Sequence, residues 1–296
     1  MKAVKIITDS CSDLSKDLRE KYNIDYAKMF TEYEGQETPA SLDWDIYSPQ
    51  ELYKIMRDGK RILTTQVPVQ EFKRVFAQGI EEGADMVYIG CSSKQSGSVN
   101  TGFVVAKETM EQNPGTEIYI VDALNACMGE GLLAIRAAEY RDQGKSAKEI
   151  YDLLQKDLKK VNEFITVHSL DALKRAGRVK ASAAFLGNLF GVKPILIADK
   201  NGDQVPVKKV KGRQTSIQEL VNLTKESIID PENQTIYIVH ADCEEEAKEL
   251  EQMIKEQIPC KDTHISYIGP IIGASIGPDA IGLFSFGKEV TFVAGN

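Results

Sequence analysis

The chain of 296 residues is long enough for two domains, and no apolar run in it comes near the ~20 residues that span a bilayer. Its 42% hydrophobic and 27% charged residues are those of an ordinary soluble globular protein rather than a disordered one. A formal net charge of −8 argues against general nucleic-acid binding, which needs a basic face, but leaves room for a local positive site.

The chain enters a strand directly, through Ala3-Val4-Lys5-Ile6-Ile7, with no signal-peptide layout, so a cytoplasmic location is expected. Five cysteines, at 11, 91, 127, 243 and 260, form no Cys-x-x-Cys pair and suit reduced thiols. The three histidines, at 168, 240 and 264, have no zinc-like spacing. Neither a metal nor a cofactor is expected.

The first strand ends in Thr8-Asp9-Ser10-Cys11-Ser12-Asp13 before a helix at 15–22. Asp9 and Ser10 thus stand at a strand's carboxyl end, where open α/β sheets bind ligands, or else they only turn the chain and cap the helix. Residues 24–30 read as a second strand, and 31–47, with Trp44, as an irregular surface excursion. Ser48-Pro49-Gln50-Glu51 starts a helix with a capping box. Ile62-Leu63-Thr64-Thr65-Gln66 is a short strand leading to uncharged donors before a helix at 69.

Met86-Val87-Tyr88-Ile89 reads as a buried strand, and 99–112 as a helix with Phe103, Ala106 and Met110 on one side. Between them, Gly90-Cys91-Ser92-Ser93-Lys94-Gln95-Ser96-Gly97-Ser98 supplies four hydroxyls at a helix start. Backbone N–H groups and the positive helix end converge there, which suits a carboxylate or phosphate. The same residues also make an ordinary serine cap. Neither nucleotide-binding glycine fingerprint is present. A further strand at 117–122 and helices at 123–140 and 146–160 complete about four strand–helix alternations. This rhythm predicts a parallel sheet with helices on both faces, and loops after Thr8, Leu63, Cys91 and Val121 at one edge.

The rhythm changes near 161–162. Strands at 164–167, 192–198, 204–210, 235–240, 263–268 and 290–294 predict a mixed sheet, with a hairpin turn at Asn201-Gly202. Residues 181–190 are apolar nearly all round, so they are buried or line an apolar cavity. Helices are expected at 169–176, 217–229 and 244–257. Lys208, Lys209, Lys211 and Arg213 form the one dense basic cluster, either a solvated face or a docking or phosphate-contacting patch.

Taken together, Ile7-Thr8-Asp9-Ser10 with Asp13-Leu14, Thr64-Thr65-Gln66, Ser92 through Ser98, Leu170 to Arg178 with Lys193-Pro194-Ile195-Leu196, and Gly269-Pro270-Ile271-Ile272-Gly273-Ala274-Ser275-Ile276-Gly277-Pro278 resemble the bacterial DegV family over the full chain. The resemblance implies an α/β protein of two domains with the ligand between them. Residues 1–161 would form a three-layer α/β/α domain with a parallel sheet, and 162–296 an α/β domain with a mixed sheet. It implies a long-chain fatty acid in an apolar interdomain tunnel, its carboxylate at Thr64, Thr65, Ser96, Gly97 and Ser275. Phe185, Leu186, Leu189, Phe190, Ile272 and Phe284 would wall the tunnel. Arg178 and Arg213 would face a partner or its phosphate.

The family's role is to present the fatty acid to a separate, dihydroxyacetone-kinase-like fatty acid kinase subunit for phospholipid synthesis, so the chain itself would hold no catalytic residue. Ser275 and Asp279 stand where the family usually has histidine and glycine. Two other readings stay open: a carrier or regulator for another amphipathic acid, and a phosphotransferase or hydrolase built on Asp9 and Ser10.

Overall fold

A computed structural model describes residues 2–182, 185 and 191–294. It is a mixed α/β fold whose contacts divide it into two compact units. The first comprises Met1–Ile46, Ile62–Leu158 and Gly269–Ile271, and the second Tyr47–Arg61, Lys159–Ile268 and Ile272–Asn296.

In the first unit, β1 (Val4–Asp9), β2 (Ile24–Ala27), β6 (Asp85–Gly90) and β7 (Ile118–Asp122) form an all-parallel sheet in the order β2-β1-β6-β7. Met86, Val87, Tyr88 and Ile89 have no exposed surface, the unbroken burial of a parallel strand covered on both faces. Helices α3 (Val69–Glu81) and α4 (Ser98–Gln112) pack together, as do α5 (Met128–Asp142) and α6 (Ala147–Asp157), which gives the expected three layers. Helix α5 buries alanines and leucines along most of its length. The α4 face turned inward is Gly102, Val105 and Ala106, whereas Phe103 is 63% exposed. Period alone grouped Phe103 with Ala106 and Met110 on one side, yet the tight fit of Gly102 against the Phe72 ring sets a helix rotation that turns Phe103 outward.

Three expectations fail between residues 24 and 65. The strand expected at 24–30 is two, because the chain leaves the parallel sheet after Ala27 and re-pairs as β3 (Phe30–Tyr33). The excursion at 31–47 contains a hairpin, β3 with β4 (Gln36–Pro39), closed by Glu34 and Gly35 at φ 50° and 78°. Both central residues of that two-residue turn are left-handed, as a type I′ turn requires. Finally, β5 (Leu63–Thr65) pairs with β3 in this antiparallel sheet, of order β4-β3-β5, and not with the parallel one.

The second unit holds a six-stranded mixed sheet of β8 (Val161–Thr166), β9 (Val192–Ala198), β10 (Gln204–Lys211), β11 (Thr235–His240), β12 (Asp262–Tyr267) and β13 (Ile281–Phe286). Its order is β10-β9-β8-β13-β11-β12, with only β11 and β12 parallel. The β9–β10 hairpin turns at Asn201-Gly202 as expected. Helices at Arg213–Ser227 and Glu244–Gln257 bury Ile217, Leu220, Val221, Leu250 and Ile254 against Ile236, Ile238, Ile281 and Leu283. Residues 290–294 are not a strand. Val290 N–H donates to Lys159 O, the Phe292 carbonyl accepts from Lys200, and Ala294 N–H donates to Asp199 Oδ2, three unrelated partners in place of a ladder. The glycine-rich stretch before β13 is a short helix, Pro270–Ile276.

Candidate functional site

The serine loop runs from Cys91 to Gly97, between β6 and α4. It is held by its own serines. Ser92 N–H donates to Asn125 O at 2.8 Å, and Ser92 O accepts from Gln95 and Ser96 at 2.8 and 3.0 Å. The Ser98 amide donates to Ser96 Oγ at 3.2 Å, and the two hydroxyls lie 2.9 Å apart. Ser98 Oγ also accepts from Val67 N–H at 3.1 Å. When Ser98 donates across the hydroxyl pair, the Ser96 proton is left for a ligand oxygen. Ser96 and Gly97 are both half-buried. A ligand oxygen there would meet a hydroxyl, a helix start and partial desolvation together, the conditions under which a carboxylate is held without a formal countercharge.

Gly97 has an ordinary φ of −82°, so conformation does not demand glycine. Space does: a Cβ there would collide with Gln66 Oε1. Gln66 Nε2 donates to Thr101 Oγ1 at 2.8 Å, so this side chain latches the β5 end onto α4. Sequence reading singled out the glycine but missed the latch. Only the pairing of β5 with β3, far from local spacing, brings Gln66 there.

Thr64 and Thr65 both lie in β5, where successive side chains point to opposite faces. Thr64 is half-buried and Thr65 exposed. Thr65 faces a cleft of about 630 Å³ that Phe30, Glu37, Gln66, Glu71 and Thr101 also line. Two carboxylates in its wall disfavour an anionic head group, so the donors at Ser96 are the better seat.

Asp9 and Ser10 are already used inside the protein. Asp9 Oδ1 accepts from Cys11 N–H at 2.8 Å, and Oδ2 accepts from Tyr88 Oη at 2.6 Å and Cys91 N–H at 3.3 Å. Ser10 Oγ donates to Ala40 O and accepts from Met29 N–H. Both residues have no exposed surface. Burial raises the Asp9 and Glu130 carboxyls above their ordinary values, and lifts Asp13 to about 8.

In the second unit, Arg213 was expected to contact a partner or phosphate. Its side chain is only 13% exposed and pairs with Glu246 at 2.7 Å, while donating to Asp279 O at 2.7 Å. Its Nη1 is buried with no hydrogen-bond partner among the described residues. Lys208 is paired with Glu219 at 2.6 Å. The basic cluster is therefore partly neutralised, and not simply a solvated face. Arg178 is exposed and donates to Ala176 O.

Ser275 and Ile272 are half-buried, and Phe284 has no exposed surface. The half-buried Phe185 carries the Lys209 ammonium 5.3 Å from its ring centroid. Leu186, Leu189 and Phe190 lie outside the described residues. Asp279 sits at φ 63°, the left-handed region that glycine enters freely and that aspartate tolerates better than most residues. Its carboxylate accepts from Arg57 at 2.6 Å, so the charge it brings is compensated locally.

These features define a class: a two-unit α/β protein with a parallel-sheet unit, a mixed-sheet unit and a serine-rich loop at a helix start. The family model for the DegV family of uncharacterised proteins matches residues 3–288, and the chain belongs to that family. It is 36% identical over 287 residues to a DegV domain-containing protein of Clostridium perfringens, covering 97% of this chain and 98% of the relative. A DegV family protein from Thermus thermophilus, described for its fatty acid binding, superposes with a TM-score of 0.87 at 25% identity, over 97% of this chain and all of the other. A Thermotoga maritima protein, described as revealing a fatty acid binding function, gives 0.81 at 27% identity with the same coverage.

Proposed function

We propose that this protein binds one long-chain fatty acid, its carboxylate held by Ser96 and the Gly97 amide at the start of α4. The reading is carried by full-length likeness to fatty-acid-binding DegV structures in a chain whose serine loop leaves one hydroxyl and a helix start for a ligand. Only one of Thr64 and Thr65 can share a face with that ligand, and Thr64 is the half-buried one. Burying ~16 methylenes at about 0.8 kcal/mol each supplies roughly 13 kcal/mol of gross drive before ordering costs. A ligand of this kind survives purification.

The protein is then a carrier that offers the carboxylate to a dihydroxyacetone-kinase-like subunit for acyl-phosphate formation in the bacterial cytoplasm, and is not itself the catalyst. The exposed Arg178 is the group we assign to the partner or the transferred phosphate, whereas Arg213 is held inside by Glu246 and is not offered to it. Ser275 adds a neutral donor in place of a histidine, which favours a second reading: a different amphipathic acid as ligand.

Native mass spectrometry of the purified chain, followed by lipid extraction, tests this. The expected result is an added mass of one long-chain fatty acid. Ser96→Ala should weaken its binding by about 1–3 kcal/mol with the fold intact. An empty chain that takes up neither palmitate nor oleate overturns the fatty-acid reading in favour of the second one.

A further inference from the structure

Two cysteines close the neighbouring strands β1 and β6, and one glutamate of α5 reaches the same point. The Sγ atoms of Cys11 and Cys91 and a carboxylate oxygen of Glu130 all lie within 4.8 Å of one another. The cysteines are 2% exposed and Glu130 is not exposed at all. Glu130 Oε1 accepts from Thr8 Oγ1 at 2.7 Å and Asp9 N–H at 3.3 Å. Its Oε2 is buried and has no hydrogen-bond partner among the described residues. An orphaned carboxylate oxygen in a closed interior is costly unless something fills its lone pairs.

The surroundings lack the usual remedy. Among the described residues, the hydrogen-bond partners of Asp9 and Glu130 are hydroxyls, backbone amides and each other's carboxyl group, none of them cationic. Asp9 spans the cluster, accepting the amides of both cysteines and so fixing where the two thiols start. That is the part an outer-shell carboxylate plays around a metal. Two sulfur donors with one carboxylate select a borderline-soft ion over magnesium or calcium.

We propose that Cys11, Cys91 and Glu130 form a buried site for a single zinc(II) ion in the parallel-sheet unit. Both thiols and the carboxyl bind as anions, and their protons leave to solvent as the metal enters. The three protein ligands leave the fourth tetrahedral position to a water. Because Cys91 opens the serine loop, the ion would also fix the strand end from which that loop departs.

The test uses the full chain, reduced and freed of metal. Zinc(II) is titrated against a chromophoric chelator, and cobalt(II) is used as a spectroscopic stand-in. One equivalent should bind, with a sulfur-to-cobalt charge-transfer band. Cys11→Ser and Cys91→Ser should each weaken binding by about tenfold or more, and Glu130→Gln by less, while Cys260→Ser leaves it unchanged. Circular dichroism of each variant separates lost binding from lost fold. Uptake below a tenth of an equivalent by the parent chain overturns the proposal. So does a Cys11→Ser/Cys91→Ser double variant that binds like the parent, or the recovery of the two cysteines as a disulfide with no metal.

Discussion

Gly97 is the residue whose role changed most between sequence and structure. From sequence it was expected to meet the ligand's carboxylate. The space above it belongs to Gln66, whose amide end would collide with any Cβ. Gly97→Ala should therefore push Gln66 off Thr101 and lower stability by about 1 kcal/mol, within the range for overpacking at a site that can give. Gln66→Ala alone loses one neutral hydrogen bond, worth about 1 kcal/mol. The double variant should cost clearly less than the sum, since the collision partner is gone. Denaturant melts of the four proteins check this. Strict additivity would mean that the two residues do not meet.

At the scale of elements, helix starts were the most legible features, because a capping box is a local code. Ser48 and Ser146 each accept from the amide three residues on, and Glu51 and Glu149 accept back, as the serine–glutamate spacing implies. The β3–β4 hairpin escaped notice because its turn is Glu34-Gly35, not the Asn-Gly or Asp-Gly that announces a type I′ turn. Glu34 holds a left-handed conformation that asparagine tolerates better. Glu34→Asn should raise stability by about 0.5–1 kcal/mol, read as a higher midpoint in urea. A lower midpoint would show that the Glu34 side chain contributes something its exposed position does not suggest. Strand β5 was misassigned for a related reason: three residues with two threonines fit either sheet, and only pairing partners choose.

Across the whole molecule, buried ionisable groups set how stability varies with pH. Glu163 is 3% exposed, and burial raises its carboxyl from 4.5 to about 8, against the Gln204 hydrogen bond that pulls it down. The folded state thus holds a proton that the unfolded chain has released. Stability from this group is full below about pH 4.5 and is lost as pH rises toward 8. His240 runs the other way. Burial lowers it from 6.5 to about 4, so its contribution is full above 6.5 and is lost as pH falls toward 4.

Glu163→Gln should keep the contact to Gln204 without the ionisation. The melting temperature of the variant relative to the parent should then climb steadily between pH 5 and 8. A constant difference over that range would mean that Glu163 is ionised throughout.

The sequence by itself determined the family, the class of fold, the capped helices and the serine loop, because these rest on residue order and on periods of 2 and 3.6. That loop was marked because hydroxyls crowded at a helix start are a local signature, while Ser96 within it was singled out only by the family resemblance. Tertiary structure alone decided that helix α2 (Pro49–Arg57) joins the second unit, where Tyr53 donates to Ile268 O and Arg57 pairs with Asp242 and Asp279. It likewise decided that Asp9 is spent on backbone amides, and that Cys11, Cys91 and Glu130 meet. Cys91 and Glu130 lie roughly 80 and 120 residues beyond Cys11 in the chain. No local period links positions so far apart; neighbouring strands and the packing of a helix onto their sheet do.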